Sequence, residues 1–480
     1  MTFDLTGIAL AVVVAIVYSA LLRPQQRAWA LMILSVVAVY VLQPALPVRF
    51  ADFILPTATL VLTIILWLFV GRAETRINRE DRAAMILIVL VVLVMSLMRY
   101  IQPQFRLTPS RPPDPLWVML ALAGTAVIVL AVRRITMGRR GMLDALIVLM
   151  IGVFIVLKAE PLAVEVSQGW RALTGQDTTL AAVTDLGWLG FSYVAFRLIH
   201  TVRDRQMDKL PELSLREFMT YVVFFPAFIA GPIDRAERFT KDLQALPHMS
   251  GLEPLRFTEG MTRIMVGIFK KFVIADTLAL GLALNPINAD QAISTPGLWV
   301  LLYGYALRLF FDFSGYTDVA IGIGILLGIR LPENFNRPYS RTSITAFWQS
   351  WHMTLSNWAR FYVFTPVSRA LLTRKPKPSP ILIVLLAQLT TMIVIGLWHG
   401  ITLNFFIWGA WHGVGLFIHK QWTDRTRPFY RRLEQRPALK RLESAGSWFL
   451  TFHFVMLGWV WFALPQTAQS VRVLRELFAL

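Results

Sequence analysis

Two histidines in this sequence stand where their side chains could move a proton. His399 lies in Gly396-Leu-Trp-His-Gly400 at the end of an apolar run, and His352 follows Trp351. An imidazole titrates near neutral pH, so it can act as a general base toward a hydroxyl. A Trp-His-Gly at a helix end is also typical of an interfacial anchor whose histidine bonds a carbonyl. Taken alone, the motif favours that structural interpretation.

Several other kinds of chemistry are excluded by the residues that the sequence lacks. It has no Cys, so thiolate catalysis, disulfides and cysteine-ligated metals or clusters are ruled out. It contains no G-x-S-x-G elbow of a serine esterase and no H-E-x-x-H zinc motif. We therefore expect no metal and no cofactor beyond a substrate.

The composition is that of a membrane protein. The 480 residues are 56% hydrophobic and 16% charged, whereas globular domains carry about 25% charged residues. The formal net charge of +18 is better explained by basic cytoplasmic loops beside an anionic leaflet than by nucleic acid. We predict an all-α, polytopic membrane protein in contact with the bilayer and with no nucleic acid partner.

Apolar runs of about 20 residues predict the membrane-spanning helices. The first run lacks a basic start and a cleavage site, so it is expected to be a span and not a signal peptide. Together with shorter pieces, the runs predict about 11–13 spans. They lie near 5–22, 28–46, 53–70, 83–99, 115–132, 142–158, 186–201, 216–231, 296–312, 380–398, 401–419 and 446–464.

The distribution of arginine and lysine predicts the orientation of these helices. Alternate loops at 23–27, 71–82, 133–140 and 202–215 are basic, and the positive-inside rule places them in the cytoplasm with the N-terminus outside. The loops 369–377 and 420–441 are expected on the same side. The cytoplasmic cations of the first four loops are Arg23, Arg27, Arg72, Arg76, Arg79, Arg82, Arg133, Arg134, Arg139, Arg140, Arg203, Arg205 and Lys209.

Residues 232–378 interrupt this regular pattern. They mix apolar runs with charges and with many Gly, Pro, Asn and Trp residues. Charged side chains and irregular backbone at membrane depth are retained where protein or water surrounds them. We interpret the segment as re-entrant and in-plane helices that build a site around a central tunnel. The alternative is a peripheral region that lies on the headgroups.

Four stretches of the sequence carry most of the information about function. They are Gly190-Phe-Ser-Tyr-Val-Ala-Phe-Arg197 with Phe224-Phe-Pro-Ala-Phe-Ile-Ala-Gly-Pro-Ile-Asp-Arg235; Phe310-Phe-Asp-Phe-Ser-Gly-Tyr-Thr-Asp318; Leu331-Pro-Glu-Asn-Phe-Asn-Arg-Pro-Tyr339 with Trp351-His-Met-Thr-Leu-Ser-Asn-Trp358; and Gly396-Leu-Trp-His-Gly400 with Trp411-His-Gly413. In this order they resemble the membrane-bound O-acyltransferase family, and most closely its bacterial polysaccharide-acetylating branch. The resemblance covers 186–420 closely and divides the chain into N-terminal helices (1–185), a catalytic core (186–420) and a C-terminal part (421–480).

The resemblance implies the site residues. The family's near-invariant histidine falls on His399, and its second active-site histidine falls on His352. Where the polysaccharide-acetylating branch has an acidic residue after Trp358, this chain has Phe361. Substrate contacts are predicted for residues within these motifs, namely Asp312, Asn334, Trp351, Asn357 and Trp398.

The resemblance also implies an activity at the inner or plasma membrane of the cell. An acyl thioester, acetyl-CoA or an acyl carrier, would donate from the cytoplasm. The acyl group, expected to be acetyl, would reach a hydroxyl of an extracytoplasmic glycan or a secreted SGNH-type transferase partner. One alternative is D-alanyl transfer to teichoic acid from a carrier protein. A second, from another class, is a transporter; such proteins often carry internal repeats, and the short Trp-His-Gly echo is a poor match for one.

Three further features have structural explanations in the sequence. Asp312 is expected to pair with Arg308 one helical turn earlier, with contact along the pantetheine path as the alternative. His412 would not align with His399 on one unbroken helix, so a structural role is predicted. The glycines at 322, 324 and 328 are one residue too widely spaced for a dinucleotide loop, which favours close helix packing.

Overall fold

The computed structural model describes residues 4–71, 77–136 and 140–479. Within these residues the fold is helical and contains no strand, which confirms the predicted all-α class. Contacts divide the chain into two compact units, Met1–Thr262 with Ala320–Leu331, and Arg263–Val319 with Pro332–Leu480. These two units are defined by contacts within the fold, whereas the three predicted segments are defined by the family resemblance. The three segments stay a prediction.

The first unit holds the N-terminal helices. Polar residues start several of them: Asn78 and Asp81 form a capping box at α4, and Ser214 and Glu217 form one at α9. The helices are α1 (Leu5–Leu21), α2 (Pro24–Val41), α3 (Ala51–Val70), α4 (Arg79–Leu97), α5 (Pro115–Thr136), α6 (Arg140–Lys158), α7 (Glu160–Leu173), α8 (Phe191–Gln206), α9 (Leu215–Val223), α10 (Phe225–Phe228), α11 (Ala236–Ala245) and most of α12 (Pro254–Ile268).

The second unit holds both motif histidines. Two of its segments, Phe269–Ala275 and Arg360–Phe364, are π-helical, a form found mostly as short bulges near functional sites. Its helices are α13 (Asp276–Ala279), α14 (Pro286–Gln291), the larger part of α15 (Thr295–Leu327), α16 (Ile344–Trp348), α17 (Met353–Ala359), α18 (Thr365–Thr373), α19 (Pro380–His399), α20 (Leu403–Leu433), α21 (Pro437–Ala463) and α22 (Thr467–Glu476).

Seven helices in the described part of the chain are long and apolar enough to cross a membrane, as a polytopic membrane protein requires. In two of these spans, Pro115–Thr136 and Gly141–Lys158, only 6% and 11% of the apolar window is buried. Such continuous apolar surface suits lipid and not water. The total of 11–13 spans and their orientation stay predictions; Arg72, Arg76 and Arg139 lie outside the described residues.

The predicted span 216–231 is wrong as a single helix. The chain leaves the helical conformation at Phe224, because Pro226 lacks the N–H that a continuous helix would donate to the Val222 carbonyl and its ring would clash with that carbonyl. The buried side chain of Arg197 fills this break and donates to the carbonyl oxygens of Val222 at 2.9 Å and Ala227 at 2.6 Å. An arginine therefore satisfies the carbonyls that the broken helix exposes.

Two helices are longer than their apolar runs predicted. The run 296–312 continues as α15 to Leu327, since Asp312 and Asp318 are paired with cations and do not end it. The basic segment 420–441, predicted as a loop, is helical except at 434–436. Lys and Arg are good helix formers, and Lys420 pairs with Asp424 one turn later.

The remaining short elements agree with the interpretation of 232–378. Apart from α12 and α15, the described helices of this region are 3 to 10 residues long and are joined by irregular backbone, although their depth in the membrane stays a prediction.

Close helix packing is seen at one of the three predicted glycines, in the first unit. A Cβ at Gly260 of α12 would lie 3.0 Å from the Gly322 carbonyl oxygen of α15. A Cβ at Gly324 would instead lie 2.8 Å from the carbonyl oxygen of Ile329, just beyond the end of its own helix.

Candidate active site

Helices α19 and α20 form an antiparallel hairpin that carries His399 at its turn. α19 ends at His399, and α20 starts after Thr402, whose hydroxyl accepts from the Phe405 N–H at 3.3 Å. A Cβ at Gly396 would overlap the Phe405 carbonyl oxygen, and one at Gly409 would lie 2.5 Å from that of Met392. Gly396 of the motif and Gly409 of α20 therefore let two backbones meet beside the histidine.

This close crossing predicts the effect of one added methyl group. Gly396→Ala is expected to lower the free energy of unfolding by about 1–3 kcal/mol through overpacking. Activity should fall as well, because His399 lies one turn away and a 1 Å displacement can cost about 100-fold in rate. Thermal unfolding in detergent measures the first effect. The control is Gly446→Ala in α21, where a Cβ meets nothing within 4 Å; equal unfolding midpoints in both variants would contradict the account.

Aromatic side chains surround the His399 ring. The ring centroid lies 4.5 Å from that of Trp398, 4.7 Å from Phe462 and 5.6 Å from Trp408. The Phe405 ring stacks on it at 5.8 Å, and His399 itself is half-buried. These rings hold the imidazole in an apolar surrounding that is still open on one side.

His352 stands in a tight turn where the chain enters α17. Its backbone is left-handed, with φ 41° and ψ 53°, a conformation that residues other than Gly seldom adopt. The side chain is 3% exposed and contacts the Phe313 ring edge-on at 4.6 Å. Its Nε2 has no hydrogen-bond partner among the described residues. Buried polar groups are normally satisfied, so this nitrogen can contact a bound molecule.

Asn334 fixes the His352 turn from the Pro-Glu-Asn-Phe stretch. It is fully buried, and its Oδ1 accepts from the Thr354 hydroxyl at 2.6 Å and from the Thr354 N–H at 3.3 Å. Its backbone carbonyl accepts from the Met353 N–H at 2.9 Å. The role that this geometry supports is therefore positioning of His352.

The contacts of Asn334 lead to a second prediction. Asn334→Ala removes the oxygen that accepts two buried hydrogen bonds from Thr354, and we expect a loss of about 1–3 kcal/mol in unfolding free energy. Asn357→Ala is the matched control, because Asn357 is exposed at the end of α17. Thermal unfolding of the two variants compares them directly. A stable Asn334→Ala variant would show that the turn does not depend on this side chain.

The structure brings three of the predicted site residues together. Trp398 lies with its ring 6.1 Å from that of His352 and 4.5 Å from that of His399, so one indole contacts both histidines. Trp351 packs behind the turn, 5.1 Å from both Phe335 and Trp459. Asn357 is not brought into this group by any contact of the described residues.

The prediction for Asp312 was wrong about its partner. Its carboxylate pairs with Lys271 at 2.7 Å and not with Arg308. Lys271 lies in the π-helical segment after α12, and it also pairs with Asp276 at 2.8 Å. Sequence spacing suggested Arg308 because residues four apart are neighbours on a helix, but the cation comes from another helix.

A neighbouring charge cluster was missed by the sequence analysis. Asp318 is 5% exposed and accepts from Arg263 and from Lys270, each at 2.6 Å. Arg263 also pairs with Glu333, which precedes Asn334. The cluster fastens the Pro-Glu-Asn-Phe stretch to α12 and α15. Spacing along one helix does not predict ion pairs between residues so distant in sequence. An aspartate inside an apolar run does indicate that the fold supplies it with a buried partner.

His412 is buried in the same unit, one aromatic ring away from His399. Its Nδ1 accepts from the Trp348 indole N–H at 3.4 Å, and the Trp408 ring lies 4.9 Å from its centroid. Because α19 and α20 are separate helices, the angle calculated for one helix does not apply. The predicted structural role agrees with this packing and remains a prediction.

Two smaller observations complete the site. Phe361, which replaces the acidic residue expected in one branch, lies in the second π-helical segment, half exposed, with the Arg360 guanidinium 5.9 Å from its ring. Within the described ranges no three His, Asp or Glu side chains are grouped so that they could hold a metal ion.

The described helices are long and apolar enough for a multi-pass membrane protein, and in the second unit the Trp398 indole contacts both His352 and His399. The description "MBOAT, membrane-bound O-acyltransferase family" belongs to the family model that matches residues 142–460. The chain belongs to this family, which confirms the resemblance seen in its motifs. Membership also confirms O-acyltransferase as the predicted class of enzyme and multi-pass membrane protein as the predicted class of fold.

Curated relatives modify cell-envelope polymers, according to their names. The teichoic acid D-alanyltransferase of Streptococcus thermophilus is 34% identical over 288 residues, which cover 58% of this chain and 68% of that protein. The "Probable alginate O-acetylase" of Pseudomonas syringae pv. tomato is 35% identical, covering 64% and 56%. The peptidoglycan O-acetyltransferase of Helicobacter pylori is 33% identical, covering 58% and 52%. The chain thus spans about two thirds of the first relative and little more than half of the other two.

Proposed function

We propose that this protein moves an acyl group, acetyl in the first instance, from a cytoplasmic thioester to an extracytoplasmic acceptor. The acceptor is a hydroxyl of a cell-envelope polysaccharide, or a partner transferase that completes the transfer. The protein acts in the inner or plasma membrane. The observation that carries the proposal is the contact of one indole, Trp398, with both motif histidines.

In this proposal His399 is the general base. Attack of a hydroxyl on a thioester carbonyl requires that the hydroxyl lose its proton as the new C–O bond forms. The proton passes to the His399 imidazole, the C–S bond breaks, and the leaving thiolate of the donor takes that proton from the imidazolium, which restores the neutral base. The chain has no Cys, so a thioester intermediate on the protein is excluded and direct transfer is the simplest sequence of steps.

His352 has a different role in this proposal. The role is supported by its Nε2 atom, which has no hydrogen-bond partner among the described residues. A tetrahedral intermediate carries negative charge on the former carbonyl oxygen, and a fixed N–H donor stabilises that charge. The Nε2 atom of His352 is buried and has no acceptor among the described residues. We assign it to the oxyanion or to the acceptor hydroxyl, with Asn334 holding its turn in place.

The D-alanyl reaction is the second candidate, and one comparison favours it. The teichoic acid D-alanyltransferase of Streptococcus thermophilus is matched over a larger share of its length than the alginate or peptidoglycan relatives are. Phe361 also stands where the polysaccharide-acetylating branch has an acidic residue. In this reaction the donor thioester would be a D-alanyl carrier protein.

A donor comparison tests the proposal. The purified chain is given acetyl-CoA or a D-alanyl carrier thioester, and the released thiol is titrated; the chain itself contributes none, because it lacks Cys. We expect turnover of acetyl-CoA. Turnover of the D-alanyl thioester alone would replace the acetyl proposal with the second candidate, and turnover of neither would contradict both.

A further inference from the structure

A cavity of about 630 Å³ lies in the second unit, at the far end of the α20–α21 pair from His399. Its walls are the C-terminal half of α20, the N-terminal half of α21 and residues 342–344. Gly415 makes room for it, because a Cβ there would overlap the Phe454 ring. Three of the apolar side chains that line it are 57–72% exposed, namely Ile418, Trp422 and Leu450.

Beyond the groove, the same faces of α20 and α21 carry basic side chains. On α21, Lys440 stands about two turns before Ser447, so it shares the groove-lining face. On α20, Arg427 lies about one turn after Thr423 and one turn before Tyr430. Both Arg427 and Lys440 are exposed. The apolar groove therefore opens toward a positively charged mouth.

One further feature of this mouth is typical of the level of lipid headgroups. The Trp422 indole N–H donates to the Tyr430 hydroxyl at 3.3 Å, and Trp and Tyr residues are enriched where hydrocarbon meets headgroups.

Two carboxylates near this mouth oppose an anion. Glu443 lines the groove and accepts from the Ser447 hydroxyl at 2.6 Å, and Asp424 pairs with Lys420 and lies 3.9 Å from Arg427. The three cations Lys420, Arg427 and Lys440 against these two carboxylates leave one net positive charge.

We propose that this groove binds one anionic phospholipid of the cytoplasmic leaflet. An acyl chain of the lipid lies along Ile418, Trp422 and Leu450, and its phosphate contacts Arg427 and Lys440. Because lipid tails are already in an apolar phase, burying a tail gives little selectivity. The headgroup charge decides which lipid is retained, since cations near an anionic headgroup attract it.

The position of the groove argues against the reacting end of the acyl donor as its occupant. The first α20 residue of the groove, Gly415, lies 12 residues after Leu403, about 18 Å along the helix from the turn that carries His399. Bound phospholipid is independent of acyl transfer, so the failure of one proposal would leave the other unaffected.

Native mass spectrometry of the delipidated full-length protein tests the proposal. Phosphatidylglycerol and phosphatidylcholine with the same acyl chains are titrated separately, and the bound lipid is counted. Wild type is expected to retain phosphatidylglycerol preferentially. The double variant Arg427→Gln, Lys440→Gln should bind it about tenfold more weakly and lose that preference. Leu450→Trp, which fills the groove, should weaken both lipids.

The matched control removes the same charge away from the groove. Arg374 and Lys377, which precede α19, are exposed and do not line the groove. The double variant Arg374→Gln, Lys377→Gln should bind phosphatidylglycerol as wild type does. Equal losses in the two double variants would overturn the proposal, as would unchanged selectivity in the first. Displacement of the bound lipid by acetyl-CoA would assign the groove to the donor and would also overturn it.

Discussion

Replacing His399 by alanine is expected to lower the rate of acyl transfer about a thousandfold while the protein stays folded. General acid–base catalysis contributes about 10²- to 10⁴-fold, and no other group of the sequence is assigned this role. The side chain is half-buried at the end of α19, so its loss leaves a small cavity. The helix crossing itself depends on Gly396 and Gly409, which the substitution does not touch.

The loss is measured as thiol released from the donor by purified protein. His399→Gln keeps a hydrogen-bonding side chain without a titratable base, and it should be as inactive as the alanine variant. His453→Ala is the matched control: this histidine is also half-buried and bonds the Tyr303 hydroxyl at 2.8 Å, away from the proposed chemistry. A His399→Ala rate within a few fold of wild type would show that the base lies elsewhere.

Replacing His352 should reduce the rate about 100-fold, the usual cost of losing one donor to an oxyanion. The left-handed backbone at this position allows its chemistry to be separated from its conformation. Glycine adopts φ 41° without strain, whereas alanine retains the strain. His352→Gly is therefore expected to be about 1 kcal/mol more stable than His352→Ala, and equally inactive.

Asparagine completes the His352 series. It tolerates the left-handed conformation and offers an N–H donor, so His352→Asn should recover part of the lost activity. Thermal unfolding and thiol release are measured on all three variants. If activity follows stability, with glycine well above alanine, His352 serves the turn and not the reaction.

The sequence predicted the fold class and the two histidines because each depends on a local signal. Apolar runs mark helices without knowledge of their neighbours, and four motifs in order carry the family resemblance. The flanking residues of His399 were recognised for the same reason. The sequence did not show why positions 396 and 409 are glycines. Gly396 and Gly409 allow the backbones of α19 and α20 to approach each other, which is a contact between two helices.

The remaining features depend on contacts between segments distant in sequence. Lys271 reaches Asp312 from another helix, and Arg197 satisfies carbonyls that a proline break exposes. Neither partner follows from spacing along one helix. The prediction for the basic segment 420–441 was wrong for a different reason. Its many charged residues suggest a loop, but Lys and Arg are good helix formers and extend α20 and α21 beyond their apolar parts.

The central claim is that His399, as general base, supports the transfer of an acyl group to an extracytoplasmic polymer. The most direct test compares the native host with a strain in which His399→Ala is produced at the same membrane level. Esters on the surface glycan are released with mild alkali, and the acid is identified and quantified. We predict acetate from the wild-type strain and its near-complete loss in the variant, with the amount of glycan unchanged. Equal ester content in the two strains would contradict the account.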